Sequence, residues 1–175
     1  SSVDLSHFDT RNVVNMTDMF SSCTSLKSLD LTYFDTEQVE DMTRMFRSTN
    51  SLSEIKFKFS TKYVKDMKEM FYMSSVTSLD LSSFNTERVQ NMLNMFNSCQ
   101  KLKYLDVSSF NTKRVTDMEG MFSSCKSLTS LEIKNFDTSK VTNMRGMFSQ
   151  SSVLTSLELS NFNTELVQDM SIMFY

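Results

Sequence analysis

Residues 110–135, FNTKRVTDMEGMFSSCKSLTSLEIKN, decide the fold, because the rest of the chain writes them again. Working outward, Phe8, Phe34, Phe59, Phe84, Phe110, Phe136 and Phe162 follow one another at 26, 25, 25, 26, 26 and 26 residues. Each is followed by Thr at plus two, Val at plus five and a Met-x-x-Met-Phe run. Fourteen of the fifteen Met and fourteen of the fifteen Phe fall on these columns, leaving only Met73 and Phe57 outside. A period in the twenties marks a repeat architecture. Each unit cannot bury its apolar face alone and is stabilised by its neighbours.

Each repeat has two halves. Leu-x-x-Leu-x-Leu-x-x-Phe, as at Leu128, Leu131, Ile133 and Phe136, contains the two-residue alternation of a strand. Val-x-[Asp/Asn]-Met-x-x-Met-Phe, as at Val115, Asp117, Met118, Met121 and Phe122, has the three- and four-residue spacing of a helical turn. Before the first Met stand Asn15, Asp41, Asp66, Asn91, Asp117, Asn143 and Asp169, short acceptors suited to an N-cap. Such helices span about two turns, too few to be stable alone. The expectation is an α/β solenoid, leucine-rich-repeat-like. It has about seven rungs of 25–26 residues, a parallel sheet on one side and short helical turns on the other. Helices packed about 8–10 Å apart against strands about 4.8 Å apart would make the sheet concave, whereas 3₁₀ turns would give a straighter stack. Residues 1–175 read as one array with no polar capping repeat at either end. That implies a segment of a longer protein, or rungs that associate end to end.

Composition narrows the function. A net charge of −3 argues against generic nucleic-acid binding, which needs a basic stripe to release counterions. No apolar run is long enough to span a bilayer, and neither end carries a signal peptide. With no Pro and two Gly, the bends fall to Asn, Asp, Ser and Thr. Cys23, Cys99 and Cys125 share a column with Thr49, Ser74 and Ser151, which reads as three small buried side chains. Adjacent rungs could bring Cys99 and Cys125 within bridging range. No metal or cofactor site is expected, since the only His, His7, stands apart from the Cys.

Three features break the monotony. The segment Lys56–Met73, KFKFSTKYVKDMKEMFYM, lies in a rung with two one-residue deletions and is the most basic and aromatic stretch. Aromatics among cations suit an anionic glycan or nucleic acid. They equally suit core Phe57, Phe59 and Phe71 beneath a solvated lysine face. The third residue after each Phe runs Arg11, Glu37, Lys62, Glu87, Lys113, Ser139, Glu165, alternating signs that predict a ladder of cross-rung pairs. Between the strand leucines stand Asp4, Asp30, Lys56, Asp80, Asp106, Glu132 and Glu158. Like charges stacked on neighbouring strands repel, so this outward row is the candidate partner-binding face. Solubility and protection of the sheet face are its plainer explanation.

The pattern LTSLEIKNFDTSKVTNMRGMFSQSS, residues 128–152, resembles the bacterial surface protein 26-residue repeat of BspA-like leucine-rich-repeat proteins and of surface lipoproteins of wall-less bacteria. The resemblance covers the whole chain. It implies a leucine-rich-repeat-like array displayed outside the cell for adhesion to host or matrix, with no catalytic residues to carry over. Ordinary leucine-rich repeats place an Asn ladder where this chain places Phe34, Phe84, Phe110, Phe136 and Phe162, a departure that bears on curvature. The expected function is a non-enzymatic cell-surface module binding an extracellular protein or glycan through the outward strand face. A spacer or filament element without a ligand is the alternative. A polysaccharide-acting enzyme is weaker: carboxylates about one or two rungs apart match glycosidase spacings, but an active site is unique and this column repeats.

Overall fold

The computed structural model describes residues 3–175. Its interior is built from the repeated columns. Val39, Val64, Val89, Val115 and Val141 are fully buried, as are both Met columns and the second Phe column in the central repeats. The rings of Phe20, Phe46, Phe71, Phe96, Phe122, Phe148 and Phe174 form one continuous stack with centroids 5.3–5.9 Å apart. Offset stacking at this separation suits the ring quadrupole. Towards both ends members of the repeated columns are exposed: Phe8 and Met19 at one, Met170 and Phe174 at the other.

The expected α/β solenoid is corrected. No helix forms among the described residues, and the strands are four: β1 (Ser28–Leu31), β2 (Glu54–Phe57), β3 (Ser78–Asp80) and β4 (Tyr104–Asp106). They make two separate two-stranded parallel sheets, β1 with β2 and β3 with β4, in place of one continuous sheet. Most of the chain is turn and irregular backbone. Residues Leu131 and Ile133 are buried as strand residues would be, yet they belong to no strand. Between that repeat and the next, the bond from Thr155 N–H to the Thr129 carbonyl is 3.4 Å, too long to carry a ladder.

The reason no helix forms lies in where the N–H groups go. In the repeat around Met92, the N–H groups of Met92, Asn94, Phe96 and Ser98 donate to the carbonyls of Asp117, Glu119, Met121 and Ser123 in the following repeat. Between them, Met95, Asn97 and Cys99 donate three residues back, to Met92, Asn94 and Phe96. Leu93 N–H is taken by the Asn91 side chain at 3.0 Å. Every donor is thus satisfied without a bond to the fourth residue back, which is what an α-helix requires. The backbone enforces the choice: Asn94 and Ser98 have φ of 53° and 61°, and equivalent positions in the other repeats also lie in the left-handed region. A left-handed residue ends an α-helix, and one every four residues forbids it. The Asp/Asn column keeps its acceptor role, since Asp41, Asp66, Asp117 and Asn143 each accept the N–H two residues on. It caps a turn and not a helix. The same column pairs repeat to repeat in parallel bridges from Asn15 to Asp169.

A buried hydroxyl column adds the second set of joints. Thr10, Thr61, Thr86, Thr112 and Thr138 each donate to the carbonyl of a residue one repeat on and accept that residue's N–H. Thr36 donates likewise to Ser60. The Cys, Thr and Ser column interchanges for a related reason. Cys99, Cys125 and Ser151 donate to Phe71, Phe96 and Phe122 carbonyls of the preceding repeat, and Thr49 donates to Phe46 of its own. Cys99 and Cys125 are buried, free thiols, and burial pushes the Cys125 thiol up to about 12. Cys23 departs from the expectation of three buried thiols by being only half-buried.

Candidate binding surface

The outward row is set by the strands. In β1 and β2 the register places Asp30 opposite Lys56, and in β3 and β4 it places Asp80 opposite Asp106. Asp4, Glu132 and Glu158 sit at equivalent places on no assigned strand. The row is therefore not one surface on one sheet. It divides between Lys56 and Asp80, where Ile55, Phe57, Ser78 and Leu79 line a groove of about 410 Å³. Here Phe57 takes a leucine position one residue short of its usual distance to Phe59. Its ring stacks on Phe59 at 4.9 Å and leans on Phe84 at 5.7 Å. Phe59 and Phe71 are core and Phe57 is half-buried, so the aromatic stretch is mostly interior.

The acidic residues have local work. Asp4 accepts the Ser6 N–H at 3.0 Å, and Asp106 that of Ser108 at 2.9 Å. Asp30 takes both the N–H and hydroxyl of Thr32, and Asp80 both of those of Ser82. Glu158 accepts the Ser160 N–H at 3.0 Å. Each bond closes the turn that leaves the strand position, the Asx-type use of a short acceptor. Hydroxyl and backbone donors hold the carboxyls of Asp30 and Glu158 below their ordinary values, and Ser108 does the same for Asp106. Glu132 has no such bond among the described residues, and Lys56 pairs loosely with Glu54 at 3.6 Å.

The alternating column Arg11 to Glu165 does not form the expected ladder. Its Arg11 pairs with Asp9 of its own repeat at 2.7 Å. Cross-repeat pairs occur elsewhere: Arg44 with Asp18 at 2.6 Å, Lys65 with Glu40 at 2.5 Å and Arg47 with Glu69 at 3.2 Å. What the sequence reading missed is a second groove, of about 430 Å³, lined by Lys62, Lys65, Arg88 and Arg114 with Asn85, Glu87 and Gln90. Its signal was legible one column over, where Arg88, Arg114 and Lys140 succeed one another at the repeat period. Among the described residues no group of His, Cys, Asp and Glu is placed to hold a metal. No helix among them is long and apolar enough to cross a membrane.

Fold and surface together define a tandem-repeat protein whose interior columns are structural and whose variation lies outside. The chain belongs to the family described as Mycoplasma protein of unknown function, DUF285, which matches it at residues 2–78, 57–132 and 90–175. Overlapping matches of this kind are what a tandem repeat produces. No curated protein and no solved structure matches the chain.

Proposed function

We propose that the chain is a non-enzymatic repeat module displayed at the cell surface, adhering to an extracellular protein or glycan through its outward strand face. The observation that carries this reading is the charged row of exposed Asp30, Lys56, Asp80, Glu132 and Glu158 and half-buried Asp106, over a frame whose apolar columns face inward. Asp80 opposite Asp106 is an unfavourable pairing that a basic partner would relieve. The repeat's resemblance to BspA-like surface proteins supports display outside the cell. The turn bonds made by Asp4, Asp30, Asp80, Asp106 and Glu158 favour a second reading, an array with no ligand of its own.

Substituting Asn at 80 and 106 separates the two, because an amide oxygen can still close the turn while the charge is gone. The triple change Asp80→Asn, Asp106→Asn and Glu132→Gln should leave thermal stability near wild type, the weaker turn bond at position 106 being offset by relief of the Asp80–Asp106 repulsion, and should reduce adhesion to a panel of matrix proteins and glycans. Wild-type adhesion should weaken as salt rises. Unchanged adhesion by the triple variant would remove the row from the binding surface.

A further inference from the structure

We propose that the groove formed by Lys62, Arg88 and Arg114 is a binding site for an acidic oligosaccharide, separate from the strand face and independent of its reading. Three successive repeats supply the groove: Lys62 and Lys65 from one, Asn85, Glu87, Arg88 and Gln90 from the next, Arg114 from the third. Arg88 and Arg114 occupy the same column one repeat apart, so their like charges are held in register. Lys62, Arg88 and Arg114 have no ion-pair partner among the described residues. In the acidic row, turn bonds account for most of the stacked carboxylates. No turn uses these cations.

The groove is also pre-ordered. The Tyr63 ring is flanked by Lys62 Nζ at 5.2 Å and by the Arg88 guanidinium at 4.9 Å, and Lys65 is anchored on Glu40. Cations over an aromatic face are held in place before a ligand arrives, which lowers the entropy lost on binding. The guanidinium groups of Arg88 and Arg114, exposed and without an ion-pair partner among the described residues, are each suited to taking a sulfate or carboxylate in a bidentate fork. Asn85, Gln90 and Glu87 supply amide and carboxylate partners for sugar hydroxyls on the same wall. A nucleic acid fits less well: no aromatic side chain is among the residues lining the groove, so bases find no stacking platform there. The chain's net charge of −3 also opposes a long polyanion.

The test uses the full chain and titrates a sulfated glycosaminoglycan hexasaccharide and a carboxylate-only hyaluronan hexasaccharide, with single-stranded DNA of matched charge as competitor. Binding of either sugar, weakening with salt, is expected. Arg88→Gln with Arg114→Gln should reduce affinity at least tenfold, and Arg114→Gln alone should weaken it without altering the melting temperature. The strand-face variant Asp80→Asn with Asp106→Asn should bind the sugar like wild type. The proposal is overturned if neither sugar binds, or if the Arg88 and Arg114 changes leave affinity intact. It is equally overturned if the strand-face variant loses the sugar, or if DNA binds more tightly.

Discussion

Thr112 and Asp137 exchange two hydrogen bonds across neighbouring repeats: the Thr112 hydroxyl donates to the Asp137 carbonyl at 2.9 Å and accepts its N–H at 2.8 Å. One buried hydroxyl thus satisfies both backbone polar groups of a residue 25 positions away, and the same joint recurs along the array. Thr112→Val keeps the shape and removes both bonds, leaving the Asp137 groups unpaired at a buried joint, at a cost of about 1–3 kcal/mol. Thr112→Ser should lose much less. Urea unfolding of both variants checks this, and equal stabilities would mean that the hydroxyl column contributes only by its methyl groups.

Gly120 and Gly146 hold the same left-handed position, with φ of 57° and 58°, but in different surroundings. A Cβ at Gly120 would collide with the Asn94 side-chain oxygen, whereas at Gly146 its nearest neighbours lie 3.6–3.7 Å away. Gly146→Ala should cost about 1–2 kcal/mol from backbone strain alone. Gly120→Ala should cost more. Met73 is exposed at φ 55°, so Met73→Gly should gain stability of about 1 kcal/mol. Thermal melts of the three variants that ranked them in another order would count against these turn assignments.

The three thiols should react in two classes. Cys23 is half-buried and should be alkylated in native protein. Cys99 and Cys125 are buried, their S–H groups donate to carbonyls, and burial raises both thiols well above the ordinary range. They should label only after denaturation, since the thiolate is the reactive form. Mass spectrometry of timed labelling reads this directly, and rapid native modification of Cys125 would contradict it.

Asp117 runs opposite to most of the chain's shifted carboxyls. Burial raises its carboxyl above the ordinary value, so the folded protein holds that proton more tightly than the unfolded chain. Its contribution is therefore present at low pH and lost as pH rises through the folded value. Asp117→Asn keeps the turn acceptor and should raise the melting temperature at pH 7, with the gain shrinking as the solution is acidified. Asn91 and Asn143 already occupy that column in the flanking repeats. For Asp30 and Asp106 the sign reverses. Their carboxyls are lowered by Thr32 and Ser108, so their contribution is present above the unfolded value of about 4 and disappears on acidification. Melting temperatures across pH 3–7 for wild type and Asp117→Asn test both signs.

The sequence by itself determined the period, the inward columns and the acceptor role of the Asp/Asn position, because burial and turn chemistry are written in side-chain identity. Met118, Phe122 and Val115 are buried as their columns demanded. What only the tertiary structure decided is where each backbone N–H would find its acceptor. The spacing of Met118 and Met121 fits a helix equally well, but the N–H of Met118 goes to Asn143 one repeat away at 3.0 Å. That option exists only once the next repeat is in place, and it replaces the helix with bridged turns. The double use of the Thr112 hydroxyl and the turn duty of Asp30 and Asp80 belong to the same category. So does the groove, since Lys62, Arg88 and Arg114 stand about a repeat apart in the chain and meet only because neighbouring repeats are hydrogen-bonded in register.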